Sequence, residues 1–64
     1  LDDANLRLKK LGEETTELVV ALARNNTEEA AEEAADLVYH MMTALRAAGV
    51  AWSDVESVLA GRRV

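Results

Sequence analysis

The sequence predicts an all-α fold, an antiparallel helical hairpin plus a short C-terminal helix, assembling as a homodimeric helical bundle. Three observations lead there. Alanine, leucine, glutamate and valine dominate a chain that is 50% hydrophobic, has no proline, and whose only aromatic residues are Tyr39 and Trp52; this is helix-forming composition. The phrase Glu13-Glu14-Thr15-Thr16-Glu17-Leu18-Val19-Val20 returns in kind as Glu32-Glu33-Ala34-Ala35-Asp36-Leu37-Val38-Tyr39, with acids and apolar residues at helical spacing in both copies. Between the copies lies Asn25-Asn26-Thr27, whose short polar side chains favour turns and helix starts.

The chain is read as one domain over 1–64, with helices at about 3–25, 28–48 and 54–62. Asp2 or Asp3 caps the first helix. Gly12 interrupts it at a cost of roughly 0.5 to 1 kcal/mol relative to alanine, which is either a tolerated imperfection or room for a partner backbone or ligand beside Glu13 and Glu14. Thr27 is the expected cap of the second helix, and Glu28 and Glu29 are read only as charges at the positive end of its dipole. Gly49 followed by Val50 fits a left-handed C-terminal cap with hydrophobic closure. Ser53-Asp54-Val55-Glu56 reads as a capping box opening the third helix, with Trp52 as the hydrophobic staple before it. Gly61-Arg62-Arg63-Val64 is a fraying tail whose arginines meet phosphate only if the third helix turns back toward the acids.

Each copy of the phrase holds two acids three residues apart, and such residues share a helix face. In an antiparallel hairpin, Glu14/Glu17 and Glu33/Asp36 stand equally far from Asn25, so the two pairs are level to within roughly 1.5 Å of rise. Azimuth agrees. At about 100° per residue from Leu18, Glu14 lies at about −40°, Lys10 at about −80°, Glu17 at about −100° and Glu13 at about −140°. From Leu37, Glu33 lies at about −40°, His40 at about −60° and Asp36 at about −100°. Both pairs therefore border the apolar stripe on the same side. At an effective dielectric of ~20, each like-charge pair at ~4 Å costs on the order of 4 kcal/mol. Protons or cations must relieve that repulsion, and hard oxygen ligands suit Mg²⁺, with Mn²⁺ as an alternative.

Composition narrows the partners. A net charge of −5 without a basic patch or aromatic platform speaks against binding a nucleic-acid polymer. It leaves room for a nucleotide bridged to the acids by divalent metal. The apolar runs are too short to span a bilayer. The lack of cysteine is compatible with the cytoplasm, the expected location. A 64-residue chain buries too little apolar surface to be comfortably stable alone, and sharing its faces with a second copy is the economical solution.

Lys10-Leu11-Gly12-Glu13-Glu14 with Glu17, a turn, and Glu33 with Asp36-Leu37-Val38-Tyr39-His40 together resemble phosphoribosyl-ATP pyrophosphohydrolase, the histidine-biosynthesis member of the MazG-like all-α superfamily. The resemblance runs from about Leu8 to Arg63. It implies Mg²⁺-dependent hydrolysis of the α,β-phosphoanhydride of phosphoribosyl-ATP to phosphoribosyl-AMP and pyrophosphate. By position it makes Glu14, Glu17, Glu33 and Asp36 the metal ligands. It also makes Glu13 a neighbouring acid that supports a ligand or orients water, although its azimuth favours solvent. Lys10 can neutralise the site, bind phosphate, or form an ordinary surface pair. His40 and Tyr39 read first as packing residues, Tyr39 against a partner subunit. Family members usually carry a further segment before the first signature helix, where this chain has only Leu1 to Arg7; the resemblance leaves that segment absent, disordered, or replaced by a fused neighbour, such as phosphoribosyl-AMP cyclohydrolase.

Two other readings compete. A MazG-like house-cleaning enzyme would use the same metals on other nucleoside triphosphates. A non-catalytic helical dimerisation module would scatter its acids over exposed positions, whereas Glu14 and Glu33 both border the apolar arc.

Overall fold

The computed structural model describes residues 3–62, and among these the fold is three helices and no strand, α1 (Ala4–Ala23), α2 (Thr27–Ala47) and α3 (Trp52–Gly61). Asp2, the other candidate first cap, and the tail residues Arg63 and Val64 lie outside the described residues. Asp3 caps α1, its carboxylate accepting from the N–H groups of Asn5 (2.9 Å) and Leu6 (3.4 Å).

The reversal between α1 and α2 is made by Asn25 and Asn26. Asn25 takes the left-handed conformation (φ 57°) that asparagine tolerates better than most residues. Its N–H donates to the Leu22 carbonyl, and that of Asn26 to Ala21 (both 3.1 Å), closing α1 with the paired bonds of a Schellman motif. Asn26 then opens α2. Its side-chain oxygen accepts the Glu29 N–H at 3.0 Å while its side-chain amide donates to the Glu29 carboxylate at 3.2 Å. The expected cap at Thr27 is thus displaced by one residue, because an amide serves both the backbone and the acid three residues on. One asparagine ends one helix and begins the next, leaving little slack in the register of the hairpin.

Gly49 closes α2 as expected, at φ 81°, with Gly49 N–H to Arg46 (3.0 Å) and Val50 N–H to Leu45 (2.9 Å). The third helix begins earlier than the sequence suggests. Ala51 is its N-cap, and Asp54 accepts the Ala51 N–H at 3.1 Å. The capping box on Ser53 is not formed, since Ser53 already lies inside the helix. Trp52 is the first helical residue instead of a staple before the cap, and it lines a cleft with Met42, Leu45 and Val50 at the end of α2. Beyond that corner α3 does not pack along the hairpin, so it does not turn back toward the acids.

The helices lie in one layer. Extents of 39 × 34 × 13 Å leave a thickness close to a single helix diameter of about 10–12 Å. The radius of gyration is 13.4 Å against about 10.7 Å for a compact chain of this length. The accessible surface is 5135 Å², where a compact monomer of this mass would expose about 4,040 Å². A single layer has no interior, and among the described residues only Ala21 and Glu14 are buried.

On α1 the inter-helix contact runs slightly to the acidic side of Leu18, whereas on α2 it follows the Leu37 stripe, where Ala30, Ala34, Leu37, Met41 and Leu45 are all half-buried. Glu14 and Ala21, seven residues apart, fall on one strip at about −40° to −60° from Leu18, and they are more buried than Leu18 itself. Leu8, Val19 and Leu22 lie on the other flank of α1, and Val38 and Met42 on the matching flank of α2; all five are exposed. The hairpin therefore has an acidic margin on one side and an open apolar margin on the other.

Asn26→Ala should lower unfolding stability by about 1 kcal/mol, the usual cost of losing an N-cap, whereas Thr27→Ala should change it by less than about 0.5 kcal/mol. Urea midpoints of the two variants check the displaced cap. Equal losses would return the cap to Thr27.

Candidate metal centre

The geometry of the acids follows from the hairpin. Glu14 and Glu17 stand one turn apart on α1, and the Asn25–Asn26 reversal brings Glu33 of α2 level with them. Carboxylate oxygens of Glu14, Glu17 and Glu33 lie within 4.8 Å of one another, with Glu14 buried, Glu33 half-buried and Glu17 exposed. Three of the four residues expected to converge do so. Asp36 is exposed and stands outside that group, yet its charge still reaches Glu33.

The electrostatics record the crowding. Desolvation pushes the Glu33 carboxyl above the usual carboxylate range, and the negative charges of Glu17, Glu14, Asp36 and Glu29 add to the rise. Glu29 is a contributor the sequence reading missed. It serves the Asn26 cap and, one turn before Glu33, also weighs on the cluster; the spacing of four residues was the available signal. The reading of Glu29 as a capping charge alone is corrected accordingly.

Around this group, Lys10 places its ammonium 3.9 Å from Glu14 Oε1. Glu13 is exposed and borders a shallow groove with Lys9, Gly12, Thr16 and Glu17. It is not among the charges acting on Glu33. A Cβ at Gly12 would meet nothing within 4 Å, so no close approach within the chain itself explains that glycine. His40 is half-buried and stacks edge-on against Tyr39 at 5.3 Å, and Tyr39 is 67% exposed.

The donor set fits a hard divalent cation. At the usual bond length of about 2.1 Å, an octahedral Mg²⁺ sets adjacent oxygens about 3.0 Å apart and opposite ones about 4.2 Å, so three carboxylate oxygens within 4.8 Å reach that geometry by closing up through the flexible glutamate side chains. All are oxygen ligands, with no sulfur and with His40 outside the group. The acids are not spread over separate faces, as a purely solvated surface would have them.

Comparison with known proteins places this geometry in context. The family model for phosphoribosyl-ATP pyrophosphohydrolase matches residues 1–63. A histidine biosynthesis bifunctional protein HisIE from Parasynechococcus marenigrum is 52% identical over 59 residues, covering 92% of this chain and 27% of that protein. A phosphoribosyl-ATP pyrophosphatase from Streptococcus gordonii is 50% identical over 56 residues, covering 88% of this chain and 54% of the relative. One from Haloarcula marismortui is 48% identical over 59 residues, covering 92% and 60%. The chain thus spans somewhat over half the length of such single-activity relatives and about a quarter of the bifunctional one. No solved structure matches it.

The raised Glu33 pKa has a definite sign. The folded chain holds this proton more tightly than the unfolded chain, so stability falls as pH rises from the ordinary carboxylate range through the raised value. In chelator, Glu33→Gln, which mimics the protonated acid, should melt above the parent at pH 7, and the gap should close on acidification. Identical melting at pH 7 would show that the like charges do not burden the fold.

Proposed function

The chain belongs to the phosphoribosyl-ATP pyrophosphohydrolase family, and from that premise we propose that it carries the catalytic helices of an enzyme hydrolysing the α,β-phosphoanhydride of phosphoribosyl-ATP. The products are phosphoribosyl-AMP and pyrophosphate, in histidine biosynthesis. The observation that carries the reading is the meeting of Glu14, Glu17 and Glu33 from two helices within 4.8 Å. Relatives named as phosphoribosyl-ATP pyrophosphatases and as bifunctional histidine-biosynthesis proteins support it. The bifunctional relatives also support fusion with a second activity.

Mg²⁺, or Mn²⁺ in its place, is the proposed cofactor, held by Glu14, Glu17 and Glu33 with Asp36 at the edge. When bound, such an ion supplies positive charge to phosphate oxygens and a water of lowered pKa. The residues do the rest. The four carboxylates hold an otherwise repulsive substrate only through cations, and their placement on rigid helices fixes where the anhydride sits. Partial burial of Glu14 and Glu33 excludes water from one side of the site, which strengthens every charge interaction there. Glu13, exposed on the neighbouring groove, is placed to order solvent and not to ligate.

Assembly is part of the proposal. A second copy covering Leu8, Val19, Leu22, Val38 and Met42 would supply the missing layer and leave the acidic margin open. Sedimentation at micromolar concentration should give a dimer; a stably folded monomer would reject this element.

Pyrophosphate release should require Mg²⁺ and should be fastest on phosphoribosyl-ATP among a panel of nucleoside triphosphates, measured on a chain that includes whatever residues flank this domain. Preference for another triphosphate would move the assignment to the house-cleaning branch. Glu17→Gln and Asp36→Asn should each reduce Mg²⁺-dependent turnover by at least about 100-fold, a loss of roughly 2.7 kcal/mol in transition-state stabilisation, while circular dichroism shows the helices intact. Near-parental turnover in either would remove that residue from the site.

A further inference from the structure

We propose that Lys10 is a resident monocation that holds the place of the divalent ion in the metal-free protein, and that metal entry releases its ammonium to the phosphates of the nucleotide. The inference rests on the metal-dependent function proposed above. It starts from Glu14, which is only 7% exposed but whose carboxylate oxygens still touch solvent. Buried carboxylates ordinarily accept hydrogen bonds. Among the described residues Glu14 has a single polar partner, the Lys10 ammonium at 3.9 Å.

The pairing is selective. The sequence holds twelve acids and seven lysines and arginines, yet Lys10–Glu14 is the only ion pair among the described residues. Arg7, Lys9, Arg24 and Arg46 form no ion pair with another described residue. The one cation–carboxylate contact among the described residues is therefore made at the most buried acid of the cluster.

The contact is also built to be given up. A separation of 3.9 Å exceeds the 2.7–3.2 Å of a hydrogen bond, so charge and not a directional bond holds the ammonium there. Lysine is a point charge on a flexible stem, and this one is half-exposed and anchored one turn before Glu14. A dication on the same carboxylate oxygens repels the ammonium and outcompetes it. The displaced charge stays on the acidic margin, within reach of the polyphosphate the metal would bind. Removing one positive charge at ~6 Å from a dication should tighten its binding roughly tenfold even in a water-like dielectric.

The test is Mn²⁺ binding by the substrate-free chain, read by electron paramagnetic resonance and calorimetry. Lys10→Met should bind Mn²⁺ about tenfold tighter than the parent, while Lys10→Arg, which keeps the charge, should match the parent. In chelator Lys10→Met should melt lower than the parent, and saturating Mn²⁺ should erase that difference. With metal saturating, the same variant should show a raised KM for the nucleotide. Lys10→Gln gives the same comparison if the methionine variant does not fold. Unchanged or weaker Mn²⁺ binding in the neutral variants overturns the displacement, and an unchanged KM overturns the transfer to phosphate. A parent chain that binds no Mn²⁺ at all overturns the metal-dependent function instead, so the two failures are distinguishable.

Discussion

A carboxylate sits where a hydrophobic side chain would ordinarily seal a helix–helix contact, and the rest of the molecule is arranged around that fact. Glu14 is buried on the same strip of α1 as Ala21, facing α2, with Glu17 and Glu33 close enough to repel it. Crowding like charges at a helix–helix contact works against the fold. Positive charge relieves it, and the Lys10 ammonium 3.9 Å from Glu14 supplies some. Fold and proposed chemistry thus share one requirement, and the level meeting of the acid pairs, fixed by the Asn25–Asn26 reversal, creates it.

The second constraint is the missing layer. Stable domains bury the stripe of each helix against another layer, and here three helices share one plane 13 Å thick. Apolar residues that would fill a core are instead at the surface, with Val19 and Leu22 each 58% exposed. This separates two demands on the same pair of helices. Their mutual contact holds the acids and small residues together with half-buried Leu11, Leu18, Leu37 and Met41, and the opposite margin leaves further apolar surface open.

Much of this was legible in the residues. The repeat of paired acids, the turn at Asn25 and the cap at Gly49 specified the hairpin and the height at which the carboxylates meet, because spacing along a helix converts directly into position. The azimuth of packing was less legible. On α1 the centre of packing lies a little off Leu18, toward Glu14 and Ala21, because Ala21 lets the helices approach on its own side, while on α2 the contact follows Leu37 as its apolar arc indicates. Cap positions shifted for a local reason. Asn26 and Ala51 precede the apparent caps Thr27 and Ser53 because Glu29 and Asp54 each reach back to a residue three earlier. The charge of Glu29 on Glu33 was visible as a spacing of four, but its weight depends on the desolvation of Glu33, which only the packed hairpin reveals.

Ala21 gives the arrangement a further property. Its methyl group is fully buried two turns beyond Glu14, so it acts as a spacer that sets the distance between the two rods. Magnesium asks for oxygens at about 2.0–2.1 Å and calcium for about 2.3–2.6 Å. Were the acids on the two helices to hold such an ion, the width of the gap would bear on which ionic radius they accept. A bulkier side chain at this one position would widen the gap and draw Glu33 away from Glu14 and Glu17 without altering any acid.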